Sequence, residues 1–185
     1  MTLFSAGDIS VRRLNNNAYD KEKLLEWLTN EELLALAYGE DAPWDMQKLE
    51  AAFMHKADDG EDVTACLIEL DCEPIGYIQY YPLEHDSYKF TADIPYGKFS
   101  GGYGVDIFIG LPTLWGHGLG TRTVHAMTEY LFDKMNATVV CADPEKNNRR
   151  SVKCWEKAGF EKMGIIENYD DPDKLSILMA NFKLL

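Results

Sequence analysis

The chain has 185 residues, 46% hydrophobic and 26% charged, with 31 acidic against 18 basic side chains and a formal net charge of −13. That length predicts a single domain, residues 1–185, with a core of its own. The acidic excess argues against nucleic acid or an anionic membrane as partner, since both require a basic face; it favours small cationic ligands, and serves equally as plain solubility.

No apolar run approaches the roughly 18 residues that cross a bilayer, and the opening Met1-Thr2-Leu3-Phe4-Ser5 lacks a basic region and an apolar stretch. A cytoplasmic monomer or homodimer is expected. Cys66, Cys72, Cys141 and Cys154 form no C-x-x-C pair, and no histidine stands at ligand spacing from them. No metal site is expected, and the thiols read as buried or half-buried.

In chain order, residues 9–14 read as the first strand. Residues 19–28 put Leu24, Leu25 and Leu28 on one helical face. Thr29-Asn30 breaks the chain before a second helix at 31–37, and 45–56 is a third, carrying Met46, Leu49, Ala52 and Phe53. Two β-rich runs, 63–70 and 75–81, flank a hairpin turn at Asp71-Cys72-Glu73-Pro74. Residues 82–102 mix aromatics, acids, prolines and glycines with little periodicity, and so long a loop is usually functional or disordered. A strand at 103–110 leads into a glycine turn, and residues 121–135 place Val124, Met127, Leu131, Phe132 and Met135 on one stripe. A short strand follows at 138–142, and a helix between two such strands makes a right-handed crossover that sets them parallel. Asn147 or Asn148 caps the last helix, Gly159 ends it before Phe160, and 175–182 is the last strand.

The turn Trp115-Gly116-His117-Gly118-Leu119-Gly120-Thr121 carries the chemistry. Its glycines permit positive φ and close approach of a ligand, and the following helix aims its N–H groups and positive end at an anion such as a pyrophosphate. A dinucleotide fingerprint fails because its last glycine falls on Thr121, although Asp143 ends the next strand near the place of a dinucleotide-binding acid. A triphosphate loop fails because the chain reads Gly120-Thr121-Arg122 rather than Gly-Lys-Ser/Thr. Tight packing alone also explains such a turn.

Gly118-Leu119-Gly120 fits the x-x-G-x-G core of the acetyl-coenzyme-A loop of GCN5-related N-acetyltransferases. The run from Asn148 through Ser151, Cys154, Trp155 and Gly159 to Phe160 looks like the last shared helix of that superfamily. Two positions depart from the pattern: Trp115 stands where a Gln or Arg usually opens the loop, and Trp155 replaces a tyrosine. Within the superfamily the chain resembles aminoglycoside 6′-N-acetyltransferases through Glu26-Trp27-Leu28, Tyr38-Gly39, Glu73-Pro74-Ile75-Gly76-Tyr77, Gln79, Tyr103-Gly104-Val105-Asp106 and Asp143-Pro144. The similarity spans about residues 9–180.

The resemblance implies an α/β (α+β) fold: a mixed, mostly antiparallel sheet with a splayed parallel central strand pair, flanked by helices. It implies acetyl-CoA as cofactor and a cationic amine, an aminoglycoside, as acceptor in a ternary complex. Catalytic Asp106 would anchor the amine and accept its proton. Cofactor contacts would come from the backbone N–H of Phe108 or Ile109, from Trp115, His117, Gly118, Leu119, Gly120, Thr121 and Arg122, and from Asn148 and Trp155. Tyr38, Phe53, Gln79 and Asp143 match acceptor-contacting positions, Asp106 anchors the acceptor as well, and Asp93 in the 82–102 segment is a further acceptor-binding carboxylate or a solvated surface charge. Glu84, Asp86 and Asp93, with Tyr88, Phe90 and Tyr96, add carboxylates and rings suited to amines and sugars.

Physical chemistry qualifies these roles. A primary ammonium is only about one part in a thousand neutral at pH 7, about 4–5 kcal/mol, so positioning can carry much of the rate without a strong base. A carboxylate near the ammonium raises its pKa, but after attack the nitrogen is far more acidic and Asp106 becomes a competent acceptor. An indole N–H at Trp155 is no proton source, yet a thiol of ordinary acidity leaves as thiolate unaided. Readings kept open are another acceptor (a polyamine, another amino sugar, a peptide amine) and a coenzyme-A-binding module without turnover. For Asp106 the alternative is a carboxylate bonded to a distorted strand, and for Trp155 it is core packing.

Overall fold

A computed structural model of the chain describes residues 1–37, 44–57, 62–83, 98–167 and 174–184. It divides into two units: Met1–Tyr80 with Asp106–Thr123, and Tyr81–Val105 with Val124–Leu185. No described helix is long and apolar enough to cross a membrane.

In the first unit, β1 (Thr2–Ala6), β2 (Ile9–Arg13), β3 (Thr64–Leu70), β4 (Glu73–Pro82) and the later part of β5 (Tyr103–Ile109) follow one another in the order β1-β2-β3-β4-β5. β1 through β4 are antiparallel, with Val11 opposite Ile68 and Leu67 opposite Tyr77. The hairpin between β3 and β4 turns on Asp71 and Cys72, both at positive φ, as a type I′ turn demands.

Three helices close over this sheet: α1 (Ala18–Leu28), α2 (Glu31–Ala37) and α3 (Met46–Phe53). Asn17 caps α1 by accepting from Asp20 N, and Asp45 caps α3 by accepting from Lys48 N. Helical spacing turns Leu24, Trp27 and Leu28 of α1 inward, where they join Leu14, Leu49, Phe53, Leu67 and Tyr77 in one cluster. Each such side chain contributes about 1.5–3 kcal/mol by leaving water. The third helix stops at Phe53, and a 3-10 turn, Met54–Ala57, takes the rest of the predicted 45–56 helix.

The second unit holds the start of β5, β6 (Val139–Ala142), β7 (Glu161–Glu167) and β8 (Leu175–Phe182), in the order β5-β6-β8-β7. The expected parallel pair is there: Tyr103 lies opposite Val140 and Gly104 opposite Cys141. β8 is antiparallel to both β6 and β7. Phe99, Val139, Cys141, Ile166, Leu178 and Ala180 form one buried cluster there. α4 (Leu119–Lys134) begins in the first unit and runs into the second, where α5 (Arg149–Lys157) also lies.

With strands of both directions and, among the described residues, five α-helices, the chain has the mixed α/β architecture expected. Two strands escaped the sequence pattern. β1 buries no side chain fully, and β7 buries only Ile166, so neither shows the apolar alternation of a core strand.

Candidate active site

Side chains two apart on a strand share a face, and here two such pairs meet. On β5 they are Asp106 and Phe108; on β4 they are Tyr77 and Gln79. The rings of Tyr77 and Phe108 stack at 5.5 Å with 21° between planes. Tyr77 Oη donates to Gln79 Oε1 at 2.7 Å, and Gln79 Nε2 donates to Asp106 Oδ2 at 2.6 Å. Asp106 and Phe108 therefore lie on one side of β5, as strand alternation predicts.

Close approach of the two strands depends on Gly76. A Cβ at that position would overlap the carbonyl oxygen of Phe108. Gly110, just past the end of β5, donates its N–H to Ile75 O at 2.8 Å and fixes where the strand stops.

Aromatic rings line the polar path. Phe53 meets Tyr77 edge-on at 5.1 Å, Trp44 tilts onto Phe53 at 5.5 Å, and Trp27 meets Phe108 edge-on at 6.2 Å. From the 3-10 turn after α3, Lys56 Nζ donates to Gln79 Oε1 at 3.2 Å and sits 5.4 Å from the centre of the Phe53 ring. Gln79 thus has both lone pairs of its oxygen in use and its nitrogen directed at Asp106.

The glycine turn follows in the same unit. Trp115 Nε1 donates to Ile109 O at 2.7 Å, so this residue is a strut between the end of β5 and the turn. Gly116 and Gly118 have φ of +82° and +80°, and a Cβ on either would meet nothing within 4 Å. These two glycines serve backbone conformation at an open surface and not tight packing. α4 starts at Leu119, two residues earlier than predicted, and Arg122 N donates back to Gly118 O at 3.0 Å. The N–H groups before Arg122 in that first turn have no carbonyl four residues back inside the helix.

Around the turn, the predicted residues divide. His117 is exposed beside the two glycines, Gly120 and Thr121 are half-buried in the first turn, and the Leu119 side chain is buried in the core. The guanidinium of Arg122 pairs with Asp8, in the turn between β1 and β2, and reaches Ala6 O at 3.4 Å. That hydrogen bond holds the Asp8 carboxyl below its ordinary value.

Three of the predicted residues that the structure describes belong to the second unit. Asn148 is the N-cap of α5, its side chain accepting from Ser151 N at 3.0 Å. Trp155 is buried, its ring edge-on to Phe160 at 4.8 Å. Asp143 is half-buried just past β6. Tyr38 and Asp93, like Glu84, Asp86, Tyr88, Phe90 and Tyr96, lie outside the described residues.

Tyr77 and Lys56 reach the site although sequence reasoning assigned them no role there. Tyr77 had a signal, two residues before Gln79 on one strand face. Lys56 had none, since nothing in its spacing relates the end of α3 to β4.

An open glycine turn starting a helix, just after a strand that carries an acid, describes a class: proteins that receive a phosphate-bearing ligand at a helix N-terminus. A family model for an acetyltransferase (GNAT) domain matches residues 17–168. The aminoglycoside N(6′)-acetyltransferase type 1 of Klebsiella pneumoniae is 31% identical over 156 residues, covering 83% of this chain and 75% of that protein. The chain belongs to the GNAT acetyltransferase family. Among solved structures, AAC(6′)-Ib in complex with ribostamycin and coenzyme A is similar with a TM-score of 0.78 at 28% identity, covering 95% of this chain and 94% of that one. The same enzyme with paromomycin and acetyl-CoA gives a TM-score of 0.78 at 27% identity, with the same coverage.

Proposed function

We propose that this chain transfers the acetyl group of acetyl-CoA to the 6′-amine of an aminoglycoside. The observation that carries the reading is the hydrogen bond from Gln79 to Asp106 beside the stacked rings of Tyr77 and Phe108. A half-buried carboxylate that receives a neutral amide remains an acceptor, and the half-buried Phe108 ring beside it suits a cation bearing sugar faces. The names of the relatives, aminoglycoside N(6′)-acetyltransferases, support the choice of acceptor. The family match runs from 17 to 168, through residues of both units, which supports reading the chain as one acetyltransferase domain.

The residues at the turn fit a diphosphate. Two glycines at positive φ leave space above the backbone, and the first-turn amides of a 16-residue helix supply donors and the positive end of its dipole. His117, Gly118, Gly120 and Thr121 would hold the phosphates. Trp115, bound to Ile109 O, would set the distance from the turn to β5. When bound, the acyl carrier supplies a thioester carbonyl already activated for attack.

The chain's own groups do the rest. Asp106 anchors the ammonium; the small neutral fraction, its first proton given up to solvent, is the nucleophile, and once the nitrogen has attacked and become acidic Asp106 accepts the second proton, with the C–S bond breaking and the sulfur departing as thiolate unaided. An N–H of Phe108 or Ile109 meets the carbonyl oxygen as negative charge develops, a contact of the kind whose loss costs other enzymes about 2.7–4 kcal/mol. The Gln79 amide orients the acceptor so that little motion precedes attack, while Phe53, expected to touch the acceptor, is buried in the core and backs the Tyr77 ring.

Release of free thiol from acetyl-CoA over a panel of amines tests the reading. Release with kanamycin-type aminoglycosides supports it. Release only with polyamines, simple amino sugars or peptide amines overturns the acceptor, and cofactor binding without release overturns the transferase.

A further inference from the structure

We propose that Asp8 sets how tightly the acyl carrier is held: its carboxylate competes with the carrier's phosphates for the guanidinium of Arg122. This inference rests on the function proposed above and names the residue that tunes cofactor affinity at that site.

Arg122 lies in the first turn of α4, its backbone N–H bonded to Gly118 O at 3.0 Å, in the segment whose amides would receive the diphosphate. One helical turn is about 5.4 Å, less than the reach of an extended arginine, and helical side chains lean toward the N-terminus. The guanidinium is therefore within reach of a phosphate seated there. Instead it docks on the turn Gly7-Asp8 between β1 and β2, where its Nη2 donates to Asp8 Oδ1 and, at 3.4 Å, to Ala6 O. Gly7 has φ +69°, and a Cβ there would stand 3.5 Å from Nη2, which sets the guanidinium against the turn itself. Asp71 N donates to Asp8 O at 2.9 Å, so the turn is tied to the β3–β4 hairpin and presents its carboxylate from a fixed backbone.

Among the described residues, every bond from this guanidinium to protein runs through Nη2, so Nε and Nη1 keep their N–H donors for a ligand. The side chains of Arg122 and Asp8 are 46% and 45% exposed, and ion pairs as open as this one are weak enough to exchange partners. A diphosphate carries more charge than one carboxylate and suits the same planar fork. The chain's net charge of −13 repels a polyanionic carrier on approach, so a cation at the turn counts for much, and so does the anion that neutralises it. A carboxylate that merely steadied the arginine would strengthen cofactor binding, whereas a competitor weakens it. The exposure of the pair and the charge of the ligand favour competition.

The test is calorimetric binding of CoA, and of pantetheine as the same arm without its phosphates, at low and high ionic strength. The proteins are wild type, Asp8→Asn, Asp8→Glu and Arg122→Gln. Asp8→Asn should lower Kd for CoA about two- to fivefold at low salt and less at high salt, with Kd for pantetheine unchanged. Arg122→Gln should raise Kd for CoA, and Asp8→Glu, which keeps the carboxylate, should stay within about twofold of wild type. A crystal structure with CoA should show the Arg122 guanidinium on a phosphate and off Asp8. An unchanged or raised CoA Kd in Asp8→Asn, an equal change for pantetheine, or a guanidinium that stays on Asp8 alone overturns the proposal. CoA binding without thiol release from acetyl-CoA removes the transferase reading, while the Kd comparison still decides the role of Asp8. Absence of CoA binding in all four proteins overturns both. Melting curves of the four proteins separate a binding effect from partial unfolding.

Discussion

Two carboxylates in the first unit, Asp20 and Asp106, contrast an anion built into the framework with the one proposed to bind the acceptor. Asp20, on α1, is 1% exposed and is gripped by the guanidinium of Arg12 at 2.7 and 2.8 Å, with Asn15 N donating at 2.8 Å. Arg12 is completed by Glu69 at 2.7 Å. Asp106, on β5, is half-buried and receives the neutral amide of Gln79 within a patch of rings. The first carboxylate has its charge answered by a bidentate cation and has become part of the framework. The second accepts from an uncharged amide and stays half-buried.

The comparison breaks if the two acids respond alike to neutralisation. Asp20→Asn should cost about 3 kcal/mol, because it leaves the Arg12 cation partly buried beside Glu69 alone, and the melting temperature should drop by about 6–12 °C. Gly76→Ala comes next, at about 1–3 kcal/mol, because its methyl pushes on the Phe108 carbonyl and moves the strand that carries Asp106. Here stability and turnover should fall together, in calorimetry and in the thiol assay.

Protons probe the same distinction with smaller effects. Burial pushes the Asp20 carboxyl up, but hydrogen bonds from Arg12 and Asn15 outweigh it and hold the group below its ordinary 3.8. A depressed carboxyl stabilises the fold above 3.8 and loses that contribution as pH falls through the folded-state value. Melting temperature against pH should therefore bend downward below about 3.8 in the wild type and less so in Asp20→Asn. At the alkaline end, burial pushes the Cys66 thiol from 9.0 up to about 12. The unfolded chain then releases that proton first, so stability should decline above pH 9, at a slope on the order of 1 kcal/mol per pH unit, and Cys66→Ala should flatten the slope.

Much of this was legible before any coordinates. Periodicity located the helices on either side of Thr29-Asn30, and the order of strand, glycine turn, helix and strand gave the parallel pair. An asparagine cap at 147 or 148, which the structure assigns to Asn148, and the stop at Gly159, which has φ +94°, followed from local backbone chemistry that needs no tertiary context. β1 and β7 were not legible, because edge-like strands with exposed side chains lack alternation. Missing β1 also hid the partner of Arg122, since Asp8 sits in the turn that β1 creates. The 45–56 helix illustrates another limit: apolar spacing continues through Met54, but the backbone tightens into a 3-10 turn, and that turn delivers Lys56 to Gln79. No local pattern encodes a contact between residues 23 apart in sequence and on different elements.

The account stands or falls on Asp106 as the group that anchors the acceptor and takes its proton. The direct measurement is kcat/KM and melting temperature on the same preparation of Asp106→Asn, with acetyl-CoA and an aminoglycoside. A fall in kcat/KM of about a hundredfold or more, with melting within about 2 °C of wild type, is predicted. Turnover within a few-fold of wild type, or a loss of folding like that of Asp20→Asn, would contradict it.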